Sequence, residues 1–106
     1  MVKKIKIIWS LRAEKDLMII YDYYAVISLK IAKSLILGIT RRVELLKNGF
    51  VNIGQKEILL ERKGFEYRYL VYRNYKIIYR VDNYSIIVIT IYDSRQDPEK
   101  LFDLTG

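Results

Sequence analysis

The sequence contains no cysteine and no histidine, a single proline and only five glycines in 106 residues. Without cysteine the core depends on packing rather than disulfides, and redox logic fixes no compartment. Without histidine, the commonest acid–base group at neutral pH and the commonest zinc ligand are both missing. Ser-His-Asp and Cys-His catalysis are excluded, and a zinc site would have to be built from carboxylates alone. No metal and no cofactor are expected. Long hydrophobic runs are missing too: none approaches the roughly 20 residues of a membrane span. The opening Met1 to Lys6 has the charge of a signal peptide but neither its apolar run nor a small-residue cleavage site. The expectation is a cytoplasmic protein without a membrane partner.

Acidic residues are in the minority, 12 against 19 lysines and arginines, for a formal net charge of +7. Such a balance favours polyanionic partners: nucleic acid, the ribosome or an acidic protein. Apolar residues make up 52% of the chain, too many for a disordered one. The length suits one domain, residues 1–106, with a single modest core. No repeat, linker or low-complexity segment interrupts it.

The most informative stretch runs from Glu66 to Pro98. Three runs rich in β-branched and aromatic residues, Tyr67–Tyr72, Tyr75–Val81 and Ile86–Tyr92, are separated by short polar breaks at Arg73-Asn74 and Asp82-Asn83-Tyr84-Ser85. This is the pattern of an antiparallel meander. The last run is apolar on both faces, which predicts a central strand. Upstream, Lys3 to Trp9 alternates loosely and predicts a first strand. Ser10 is positioned to cap a helix over Leu11 to Ile27, with Ala13, Leu17, Ile20, Tyr21 and Tyr24 on one face. Glu14 and Asp16 suit its positive end. Ser28 caps a second helix with Ala32, Leu35, Ile36, Ile39, Val43 and Leu46 inward and Gly49 as its C-cap. Gly38 within it marks either a close approach to the sheet or a tolerated glycine. A short strand over Lys56 to Glu61, a turn at Arg62-Lys63-Gly64 and a terminal helix over Glu99 to Leu104 complete the prediction. The fold class is α+β: N-terminal strand, helical hairpin, antiparallel meander.

The register of the Tyr67–Val81 hairpin sorts its charges, because strand side chains alternate strictly. A two-residue loop at Arg73-Asn74 would pair Tyr72 with Tyr75 and separate Arg68 from Lys76 and Arg80. A three-residue loop, Tyr72-Arg73-Asn74, would pair Val71 with Tyr75 and use Asn74 as the left-handed residue. Arg68, Leu70, Lys76, Ile78 and Arg80 would then share one face. Keeping three cations out of the core favours this second register.

The chain resembles the RelE/ParE superfamily of type II toxin–antitoxin toxins. The resemblance spans nearly its full length. It is carried by Trp9-Ser10, Ala13 through Asp16-Leu17 to Ile20-Tyr21, Tyr67-Arg68-Tyr69-Leu70, Tyr75-Lys76-Ile77-Ile78-Tyr79 and Asp93-Ser94-Arg95-Gln96-Asp97-Pro98, in that order. It implies a cytosolic toxin held inactive in a hetero-oligomer with a cognate antitoxin. Two mechanisms divide the superfamily. RelE-like members resemble ribosome-dependent endoribonucleases that cut messenger RNA through attack by the 2′-hydroxyl. ParE-like members resemble DNA gyrase inhibitors. Carried over residue by residue, Arg68, Lys76 and Arg95 match basic positions of RelE-like sites. The second basic residue of the third strand is Leu70 here, and the C-terminal tyrosine position holds Leu101 or Phe102. Tyr92 is the substitute proton carrier, with Tyr79, Glu66 and Asp93 as further options. These departures favour the ParE-like reading, in which Arg68, Lys76, Arg80 and Arg95 contact target rather than catalyse. A degenerate toxin that retains only antitoxin binding is the third reading. The antitoxin footprint is expected on the helical hairpin, with Tyr21 and Tyr24 as candidates.

Overall fold

The computed structural model describes residues 5–48, 55–56 and 67–95. Strand β1 (Lys6–Trp9) leads into helix α1 (Leu11–Ala25) and helix α2 (Leu29–Glu44), which runs into a 3-10 turn, Leu45–Asn48. Strands β2 (Gln55–Lys56), β3 (Tyr67–Tyr72), β4 (Tyr75–Asp82) and β5 (Ser85–Asp93) follow. They form one five-stranded sheet in the order β1-β5-β4-β3-β2. The meander pairs are antiparallel, while β1 lies parallel to β5, with Lys6 opposite Ser85 and Trp9 opposite Val88. The predicted Gly49 cap, the strand beyond Lys56, the turn at Arg62-Lys63-Gly64 and the helix over Glu99 to Leu104 lie outside the described residues.

Both helices begin where the serines direct. Ser10 is extended at φ −64° and ψ 158°, and its Oγ accepts from Ala13 N at 3.0 Å. The same hydroxyl donates to the Ile89 carbonyl at 2.8 Å, so one residue starts α1 and fastens it to β5. Ser28 repeats the capping move, accepting from Ile31 N at 3.2 Å. The α1–α2 turn is tight, closed by Ile27 N and Ser28 N donating to the Tyr24 carbonyl at 3.0 and 2.8 Å. Ala13 and Ile20 of α1 and Ala32, Leu35, Ile39 and Val43 of α2 are buried. All of them but Ala32 meet Leu70, Tyr75, Ile77, Tyr79, Ile86, Val88 and Ile91 from one face of the sheet. The opposite face gathers a second cluster, Tyr67, Ile78 and Tyr92, with Tyr69 and Ile89 against it.

The central position of β5, between β1 and β4, is as expected. Its apolar character on both faces has a second cause. The pairing with β4 shifts between Ile78 and Tyr79: Ile78 faces Thr90, but Tyr79 faces Val88. The extra residue in β5 is a bulge that reverses the alternation. Ile86 and Val88 therefore face the helices before it, and Ile91 after it.

The expected hairpin register is corrected. Tyr72 pairs with Tyr75 across a two-residue loop, Arg73-Asn74, and the residue at positive φ is Arg73, at 55°. The cause is tertiary. A Cβ placed on Gly38 would run into the Tyr72 ring, so α2 passes close over β3 there and holds Tyr72 inward. This register also puts Leu70 and Ile77 together in the main core. Arg68, the second residue of β3, stays half-buried rather than sealed on the helix-covered face, so its desolvation cost is small.

Candidate functional site

The register separates the basic residues singled out from the sequence. Arg68 pairs with Tyr79 and so lies on the helix-covered face. Lys76 pairs with Val71 and Tyr92, and Arg80 with Tyr67 and Ile87, on the other face. On that face Lys76 Nζ stands 4.3 Å from the centre of the Tyr69 ring, a cation–π contact. Over the buried Tyr92, Lys76, Arg80 and Tyr69 thus form one basic–aromatic surface, which Arg68 does not join.

Arg95 is elsewhere again, two residues past the end of β5. Its Nε and Nη2 donate to the two carboxylate oxygens of Asp93 at 3.0 and 2.8 Å, and its backbone N donates to Oδ1 at 2.9 Å. The Arg95 side chain, more than its backbone, holds the Asp93 carboxyl down at about 2, and Asp93 holds the Arg95 guanidinium firmly protonated. A guanidinium committed to a carboxylate in this bidentate way is a poor free phosphate binder.

Near Asp93 lies a cavity of about 710 Å³ lined by Tyr24, Ser28, Lys30, Ile31, Ser34, Leu35, Arg73, Asn74 and Tyr75. It opens where the α1–α2 turn meets the β3–β4 turn. Burial first, and then the Tyr24 side chain, push the Tyr75 hydroxyl up to about 12. Of these residues only Tyr24 is marked by the sequence as a contact, in the expected antitoxin footprint. Two signals were available: Lys30 sits in the first turn of α2, and that turn carries no acidic residue.

The helical hairpin presents a third feature. Met18, Ile19, Tyr23, Val26, Ile27 and Leu29 are exposed. Of the two tyrosines expected in the antitoxin footprint, Tyr24 packs against the core and Tyr21 is half-buried. The outward aromatic is Tyr23. Among the described residues no three carboxylates gather as a metal ion would require, and no helix is long and apolar enough to cross a membrane.

A strand, a helical hairpin packed on a sheet, and an antiparallel meander whose last strand takes the first one beside it define the RelE/ParE class of small α+β toxins. Within that class the model of the ParE toxin of type II toxin–antitoxin systems, parDE, matches residues 7–98. The chain belongs to this family. A solved chain of the chromosomal ParDE toxin–antitoxin system from P. aeruginosa has the same fold, with a TM-score of 0.71. The alignment covers 84% of this chain and 95% of that one at 22% identity. No curated protein sequence matches.

Proposed function

We propose that this chain, acting as one domain over residues 1–106, arrests growth by binding DNA gyrase in the cytoplasm and is neutralised by a cognate antitoxin. One observation carries the choice against messenger RNA cleavage: Arg68 and Lys76 stand on opposite faces of the sheet. Cleavage by a 2′-hydroxyl needs a base, a charge stabiliser and an acid around one phosphorus atom. Tyr92 shares a face with Lys76, but Arg68 points away and Arg95 is tied to Asp93. In this reading Lys76 and Arg80 contact the target, and Arg68 and Arg95 add charge from other surfaces. The antitoxin covers the apolar row Met18, Ile19, Tyr23 and Val26, an exposed surface of the kind that marks protein contacts.

The test is inducible expression of the chain alone in a bacterial host, with RNA ends mapped and gyrase–DNA adducts counted in one culture. Arrest with trapped gyrase and intact messenger RNA is the expected outcome. Arrest with codon-positioned cuts would replace this reading with the ribonuclease. Folded protein without arrest would leave a degenerate toxin. Coexpression of the antitoxin restores growth, and charge placed at Met18 and Tyr23 prevents that rescue.

A further inference from the structure

The cavity between the two turns has a divided lining. Its floor is apolar and aromatic: Leu35 and Tyr75 are buried, and Tyr24 and Ile31 close the sides. Its rim is cationic and rich in donors, with Lys30, Arg73, Ser28 and Ser34. No acidic residue is among its described lining, and neither Lys30 nor Arg73 has an ion pair among the described residues. Asp93, the nearby carboxylate, is already neutralised by Arg95. The N-terminal turn of the 16-residue α2 opens on the same rim, and the Ser28 hydroxyl meets only one of its free N–H groups, that of Ile31.

We propose that this cavity receives an acidic segment of a partner protein. An aliphatic or aromatic side chain fills the space over Tyr24, Leu35 and Tyr75, and a flanking carboxylate meets Lys30, Arg73 and the open turn of α2. The chemistry favours peptide over nucleic acid. A nucleotide would have to bring a base to a floor where Tyr75 lies buried rather than exposed as a stacking platform. The volume suits one large side chain with its neighbouring main chain, within the usual range of ligand clefts. The origin of the segment, in an antitoxin or another protein, rests on the toxin reading. The binding does not, because it is measured on the isolated chain without reference to growth arrest or target.

The experiment is a titration of the full-length, isotope-labelled chain, followed by nuclear magnetic resonance. The probe is an acetylated, amidated peptide of leucine flanked by glutamates. The expected result is saturable shifts at Ile31, Leu35 and Asn74, with the glutamine version of the peptide binding about tenfold more weakly. Lys30→Ala with Arg73→Ala weakens the glutamate peptide by about tenfold and leaves the glutamine peptide unchanged. Ser34→Trp, at an exposed position on the rim, obstructs the mouth of the cavity and abolishes both while the remaining spectrum stays native. Equal binding of the two peptides would overturn the carboxylate role. The same shifts from inorganic phosphate alone would overturn the apolar anchor, and tighter binding of a uridine oligonucleotide would overturn the peptide assignment. Absence of saturable shifts from the glutamate peptide would overturn the site.

Discussion

The two long edges of the meander are finished by helix side chains of opposite charge, and the contrast shows how the same problem is solved at different stakes. Beyond Trp9, β1 ends, and among the described residues the rest of β5 has no strand on that side. There Asp16 of α1 takes the backbone N–H of Ile91 at 3.1 Å and the hydroxyl of Thr90, and Arg12 steadies it at 3.4 Å. On the other side the described residues of β2 pair with Tyr69 and Arg68. The Val71 carbonyl receives Arg42 Nε of α2 at 3.1 Å instead. An unmet backbone group is costly only where water cannot reach it. Asp16 is largely enclosed and Thr90 is buried, whereas the Arg42 contact is exposed. The first edge is therefore structural, and the second can be replaced by solvent.

The largest effect should come from the enclosed edge. Asp16→Ala strands the Ile91 N–H and the Thr90 hydroxyl and should lower unfolding free energy by about 3 kcal/mol in a urea titration. Adding Thr90→Val should recover part of that loss, since one of the two stranded groups is then gone. Next is the close approach that lets α2 reach β3. Gly38→Leu collides with the Tyr72 ring and should cost about 2 kcal/mol, less in a Tyr72→Ala background. Arg42→Ala should cost about 1 kcal/mol or less, because water can take over the Val71 carbonyl. A loss as large as that of Asp16→Ala would erase the distinction between the edges.

The smallest effect concerns the end of β5. Asp93 is held at about 2 against an ordinary 3.8, chiefly by the Arg95 side chain. A carboxyl lowered by folding adds stability above its ordinary value, and that stability is lost as pH falls toward 2. The gap in denaturant midpoint between the wild-type chain and Asp93→Asn should be present at neutral pH and close between about pH 4 and 2. Exposure of Arg95 keeps the gap small.

Local chemistry was legible in the sequence. Ser10 and Ser28 announce the helix starts because a cap is made within three residues. The inward faces of α1 and α2 follow from spacing alone. The hairpin register was not legible, because it is settled by Gly38 against Tyr72, a contact between distant segments. The role of Asp16 was hidden for the same reason: its partners lie in β5, and their need for it arises only from where β1 stops. Of the basic residues, Lys76 and Arg80 do share a face, while Arg68 fell on the wrong side through the one-residue difference in the loop. The Arg95 clamp had a sequence signal in the Asp93-Ser94-Arg95 spacing, where a carboxylate can bond the main chain two residues on.

The parallel pairing of β1 with β5 has a consequence for the order of synthesis. Ser10 and Ile89 are 79 residues apart, yet Ser10 both starts α1 and closes on β5. While the chain is being made, the helical hairpin emerges early with one flank uncovered. The strand that receives β1 and Asp16 leaves the ribosome after both helices and the other strands of the sheet. Contacts so distant in sequence close slowly. A nascent chain stalled before residue 85 therefore lacks the strand that joins β1 to the meander, and the finished sheet exists only once β5 has been made.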